Sequence, residues 1–177
     1  VSKVPDPTPE PPPTSYHRLT VTDCNALACE RSTAARAILA VADKPDAKHG
    51  RGADDADAKV RQLASVHLAR EARNRTAAAA LELYYKLLEA ELLADALTAS
   101  QTRVDALIAA SETLAKSGYK EAAELQQLRR QQLDLRADRA RLTAGIRRLN
   151  TELKSLIGLD GSPCRVLPAD RIDVVPD

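Results

Sequence analysis

Residues 77–97 read A-A-A-A-L-E-L-Y-Y-K-L-L-E-A-E-L-L-A-D-A-L. Alanine and leucine dominate, and both are strong helix formers. Outward from this segment, no Pro or Gly occurs between Asp55 and Lys116. The spacing predicts one helix over that span, roughly 93 Å long at 1.5 Å per residue. Such a length does not fit inside a compact globule of 177 residues. It implies a rod or a barrel wall. Ser117-Gly118-Tyr119 is the first interruption, and Gly118 suits a left-handed helix cap.

A second helix is expected from Lys120 to Ile157. Leu125, Leu128, Leu135, Leu142, Ile146, Leu149, Leu153 and Leu156 follow a 3–4 ladder interrupted only by Gln132 and Arg139. That is a coiled-coil seam. A tight break between two such helices makes an antiparallel hairpin. Gly158 ends the second helix. The long helix carries two apolar stripes. One runs Leu83, Leu87, Ala90, Ala94, Leu97, Val104, Ile108, and the other Leu81, Tyr85, Leu88, Leu92. The hairpin partner covers one stripe, so the other needs a further partner.

The expected fold is therefore all-α: a long antiparallel hairpin over 55–158, turning at 117–119, with a shorter N-terminal helix alongside. That helix falls within 16–43, capped by Thr22 or Asp23, with Leu27, Ala34, Ala37, Ile38 and Val41 as its apolar face. It stops near Asp43, because Lys44 precedes Pro45. Stacked end to end, the short helix and the second hairpin helix nearly match the long helix in length. A loop is expected over 44–54 and an irregular tail over 159–177, where Val166-Leu167 and 172–175 are candidate short strands. Residues 1–15 (V-S-K-V-P-D-P-T-P-E-P-P-P-T-S) read as an extended proline-rich arm, a spacer more than a ligand for a proline-binding groove.

Composition narrows the function classes. The chain has no Met, Trp or Phe, and its aromatics are Tyr16, Tyr84, Tyr85 and Tyr119. A conventional enzyme core and its pocket walls lean on large aromatics. With 26 basic against 25 acidic residues, the net charge is +1, which gives no global pull toward nucleic acid. The second helix is locally basic, but acids are interspersed and no aromatics interleave for base stacking. Arg139 stands on the seam itself, where an arginine snorkels, pairs across or lines a wet interior. Tyr84 and Tyr85 are expected to pack the thick part of a bundle with hydroxyls at its wet edge.

His17, His49 and His67 have no Cys or His at metal-ligand spacing. Cys24, Cys29 and Cys164 suit neither a disulfide framework nor an oriented nucleophile. There is no glycine-rich phosphate loop. No enzyme activity, cofactor or metal is expected. No apolar run approaches 18 residues, so no transmembrane span is expected within the chain. The start at Val1, without a signal-like segment, reads as a processed chain or a fragment.

Four stretches together resemble the TolC-like outer membrane efflux protein family. A-A-A-A-L-E-L-Y-Y-K-L-L-E-A (77–90) is similar to its long-helix signature. L-A-K-S-G-Y-K-E-A-A-E-L-Q-Q-L-R-R-Q-Q-L (114–133) resembles its hairpin tip, and L-N-T-E-L-K-S-L-I-G-L (149–159) its helix end. Y-H-R-L-T-V-T-D-C-N-A-L-A (16–28) is like its opening element. The spacings agree: 33 residues from Tyr85 to Gly118 and 40 from Gly118 to Gly158. The resemblance covers about residues 16–160.

It implies a trimer whose protomers each contribute two such hairpins to a periplasmic α-barrel below an outer-membrane β-barrel. It also implies a tip, here Ser117, Gly118 and Tyr119, that docks a periplasmic adaptor, with an inner-membrane pump driving substrate into the tunnel. The expected location is the periplasmic side of the cell outer membrane. The chain holds one half-repeat, and 44–53 is too short for the family's β-hairpin. A free-standing coiled-coil adaptor or scaffold with no transport role is the alternative expectation.

Overall fold

The computed structural model describes residues 15–42, 54–118 and 122–170. The element order is β1 (Tyr16–Leu19), α1 (Val21–Arg31), α2 (Thr33–Ala42), α3 (Asp54–Lys116), α4 (Ala122–Leu156) and β2 (Arg165–Pro168). The proline-rich arm, apart from Ser15, lies outside the described residues, as do the interhelix loop up to residue 53 and the tail beyond Asp170.

α3 is a single 63-residue helix, about 95 Å long. α4, of 35 residues, returns along the C-terminal half of α3 to form the expected hairpin. Gly118 takes φ +79 and ends α3 in the left-handed region. Its N–H bonds Ala115 O at 3.1 Å. Gly158, at φ +66, closes α4 in a Schellman arrangement. Leu159 N–H reaches Lys154 O at 2.8 Å, and Gly158 N–H reaches Ser155 O at 3.4 Å.

The expected single N-terminal helix is corrected to a strand and two helices. Thr20, rather than Thr22 or Asp23, is the N-cap of α1. Its Oγ1 accepts from Asp23 N–H at 3.1 Å, and the Asp23 carboxylate reaches back to Thr20 N–H, which completes a capping box. The break after Arg31 uses neither Gly nor Pro. Ser32 sits at φ −54, ψ 108, and its Oγ accepts from Ala35 N–H at 3.3 Å while pairing with Thr76 Oγ1 of α3 at 3.1 Å. A serine cap and a tertiary hydrogen bond thus divide a stretch that carries no helix breaker.

In the tail, the candidate strand at Val166-Leu167 is present as β2, which pairs in parallel with β1: Tyr16 with Arg165 through Leu19 with Pro168. The second candidate, 172–175, lies outside the described residues. The fold is mainly helical with a two-stranded parallel sheet fastening the N-terminal segment to the segment after α4.

α1 and α2 pack on the N-terminal half of α3, and α4 on the rest. Arg31 marks the junction by donating to Gly158 O at 2.8 Å. The main core lies there. It joins Leu19, Cys24 and Ala28 to Ala77, Ala80, Tyr84, Leu87 and Leu88 of α3, to Ile146 and Leu153 of α4, and to Ile157 and Val166. Each fully buried leucine or isoleucine contributes on the order of 2 kcal/mol. Toward the tip the hairpin thins to two helices. Leu125, Leu128, Leu135 and Leu142 are only half-buried there.

Candidate functional site

Three features could carry function: the hairpin tip, a polar clasp at the core, and a groove along the hairpin. The tip is the one that the sequence singles out. Ser117 and Gly118 form the turn and are exposed, with nothing within 4 Å of a Cβ placed on Gly118. Tyr119 lies outside the described residues. Above the tip, polar residues tie the two helices across the seam. Arg129 pairs with Glu112 at 3.0 Å, Gln132 donates to Asp105 at 2.6 Å, and Arg139 donates to Gln101 Oε1 at 3.1 Å. The two interruptions of the leucine ladder, Gln132 and Arg139, are therefore cross-hairpin hydrogen bonds. Exposed pairs of this kind set register more than they stabilise.

The clasp centres on Tyr84, whose ring is fully buried. Its hydroxyl lies 3.0 Å from Leu19 O and 2.5 Å from Asp170 Oδ2. The same carboxylate oxygen accepts from Val21 N–H at 2.8 Å. Burial, then the adjoining Asp170, pushes the Tyr84 phenol up to about 12. The Tyr84 hydroxyl and then the Val21 N–H hold the Asp170 carboxyl below the usual carboxylate range. The expectation of two hydroxyls at a wet edge is thus corrected. Tyr84 is an interior post, while Tyr85 is half exposed and meets the Tyr84 ring edge-on at a 5.7 Å centroid separation.

Asn150 belongs to the same fastening and was not legible as a site residue. It is 7% exposed on α4. Its Nδ2 donates to Val166 O at 2.7 Å, and its Oδ1 accepts from Val166 N–H at 3.1 Å. The side-chain amide thus satisfies the outward edge of β2 as a neighbouring strand would. A poor helix former on the buried face of a leucine ladder was the available signal.

No family model matches the chain, and neither a curated protein nor a solved structure does. The TolC-like resemblance therefore stands on the residues quoted above.

The groove runs along one side of the hairpin where the chain after α4 crosses it. It encloses about 700 Å³. Glu91, Asp95, Arg139, Arg147, Lys154 and Arg165 supply its charges. Arg165 pairs with Glu91, and Lys154 Nζ donates to Ser162 O. Among the described residues, no group of His, Cys, Asp and Glu is placed to hold a metal ion. The cysteines are free: Cys24 is buried, and Cys29 and Cys164 are partly so. Burial pushes the Cys24 thiol up to about 11, which suppresses the thiolate a nucleophile needs.

No helix among the described residues is long and apolar enough to cross a membrane.

Proposed function

We propose that this chain is a wall segment of a helical export conduit at the periplasmic side of an outer membrane, with the tip at Ser117, Gly118 and Tyr119 meeting a periplasmic adaptor. One observation carries the reading: each long helix keeps a second stripe at coiled-coil spacing that the described residues leave uncovered. On α3, Ala78, Tyr85, Leu92, Ala99 and Ala106 recur every seven residues, and all are exposed. On α4, Leu133, Ala137, Ala140 and Ala144 follow a 4–3–4 spacing and are also exposed.

A free-standing hairpin has no use for a second seam. A wall of helices side by side requires two seams on every helix, one for each neighbour. The second stripe foreseen on α3 is split by the fold. Leu88 is buried and Leu81 packs on the core, while Tyr85 and Leu92 remain outward. Small residues on these faces let neighbouring helices approach closely. The resemblance to the efflux family supplies the transport role. Neighbouring hairpins come from further copies of the chain.

The test is the mass of the chain in solution by light scattering, compared with Leu92→Glu and Ala140→Glu. A closed oligomer that both substitutions disperse is expected. A wild-type monomer at every soluble concentration would overturn the reading and favour the scaffold alternative.

A further inference from the structure

The groove differs in charge from the rest of the hairpin surface. Its cations Arg139, Arg147, Lys154 and Arg165 stand against the acids Glu91 and Asp95. One of those acids is already engaged, since Glu91 pairs with Arg165. Away from the groove, cations meet acids on their own helix. Lys86 pairs with Glu82 at 2.5 Å, Arg141 with Asp138 at 3.0 Å and Arg148 with Glu152 at 2.7 Å. In the groove, Arg139 instead donates to the neutral Gln101 amide and Lys154 to the Ser162 carbonyl. A surplus of two positive charges is thus gathered in one concavity of the described residues.

The hydrogen-bonding inventory points the same way. Thr98, Thr143 and Thr151 line the groove, but their hydroxyl protons go to carbonyls one turn back, Ala94 O, Arg139 O and Arg147 O. Asn150 commits its amide to Val166. An ammonium carries three donors and a guanidinium five, and neither accepts. One bond to Ser162 and one to Gln101 therefore leave Lys154 and Arg139 with further donors to offer. Arg165 Nε is buried and has no hydrogen-bond partner among the described residues, so Glu91 satisfies only part of that guanidinium. Such a lining asks for acceptors that carry negative charge. A peptide would bring N–H groups that need acceptors in return, whereas an organic anion brings the acceptors alone.

We propose that this groove is a binding site for a small organic polyanion, a molecule with two or more carboxylate or phosphate groups on a short carbon skeleton. Its volume, about 700 Å³, falls within the roughly 300–1,000 Å³ of small-molecule sites. Arg147 and Lys154 stand seven residues apart on one side of α4, about 10 Å, so each serves a separate anionic group. Ala94, Ile146 and Pro163 give the carbon skeleton an apolar wall. The site lies within one chain, so it stands whether or not copies of the chain associate.

The test uses the full chain and a reporter already in place. Cys164 lines the groove and is partly exposed, while Cys29 of α1 serves as the reference and Cys24 is buried. Methanethiosulfonates bearing a sulfonate or a trimethylammonium group differ in charge at similar size. Relative to Cys29, Cys164 should prefer the sulfonate by roughly fourfold, the effect of two surplus charges about one Debye length away in water. Arg147→Glu cancels the surplus and should abolish the preference, and Arg147→Gln should lower it partway. Arg141→Glu makes the same change of charge away from the groove and should leave the preference intact. At matched ionic strength, saturating citrate or inorganic pyrophosphate should slow alkylation of Cys164 by neutral iodoacetamide at least threefold and leave Cys29 unchanged. Three results would each overturn the proposal: no charge preference at Cys164, an equal loss in Arg141→Glu, or protection of Cys164 by neither anion.

Discussion

Replacing Asn150 with Leu keeps the side-chain branching and heavy-atom count and the apolar face of α4 but removes both hydrogen bonds to Val166. Those bonds are 2.7 and 3.1 Å long, and Val166 is fully buried. Each neutral hydrogen bond contributes about 1 kcal/mol net, and a buried backbone group left unpaired costs about 1–3 kcal/mol. Both the N–H and the C=O of Val166 would be stranded on the side of β2 away from β1. The expected loss is therefore about 3 kcal/mol, with relaxation of β2 offsetting part of the larger sum. For a chain of this size that lowers Tm by roughly 6–12 °C.

Urea unfolding followed by circular dichroism measures the loss, and amide hydrogen exchange at Val166 locates it. Exchange there should accelerate far more than in the middle of α3. Asn150→Asp sharpens the test. An ionised carboxylate still accepts from Val166 N–H but faces Val166 O, so this variant should recover stability on acidification, when the carboxyl becomes a donor. A loss below about 1 kcal/mol for Asn150→Leu, with Val166 exchange unchanged, would refute the view that this amide holds β2 in place.

Two further predictions concern backbone and pH. Gly118 and Gly158 both have positive φ, yet only Gly158 is crowded, since an added Cβ would lie 2.6 Å from Arg31 Cδ and 3.0 Å from Arg31 Cβ. Gly118→Ala should cost about 1 kcal/mol from backbone strain alone. Gly158→Ala should cost clearly more and displace the Arg31 contact, as equilibrium unfolding of the two variants will establish. The Asp170 carboxyl is held low in the folded state by Tyr84 and Val21. Its contribution is therefore complete above the unfolded carboxyl pKa of about 3.9 and disappears as pH falls through the lower folded value. Asp170→Asn should flatten that part of the acid limb of the stability–pH curve, and an unchanged acid limb would contradict the clasp.

The long elements were legible because their signals are local. Some sixty residues without a breaker propagate a helix whatever surrounds them. The leucine ladder of α4 announces a partner, and Gly118 and Gly158 mark stops that only a residue without Cβ makes easily. The tip at Ser117 and Gly118 followed from the same reading. Gln132 and Arg139 were visible as interruptions of the ladder, but their partners Asp105 and Gln101 depend on hairpin register.

What tertiary structure decided is how the ends of the chain are fastened. Y-H-R-L and R-V-L-P are four-residue strands with no stability apart. They form because α3 and α4 bring residues 16–19 and 165–168 together and because Asn150 satisfies the free edge. Ser32 caps α2 locally through Ala35 N–H, and its bond to Thr76 of α3 ties that break to the tertiary fold. Tyr84 shares the core-facing side of α3 with Ala77, Ala80 and Leu87, and its hydroxyl finds Leu19 O and Asp170, residues far away in sequence, while Tyr85 faces outward. Helix propensity and periodicity act within a few turns and so are written in the chain. Buried polar pairs between distant segments exist only once the core has closed.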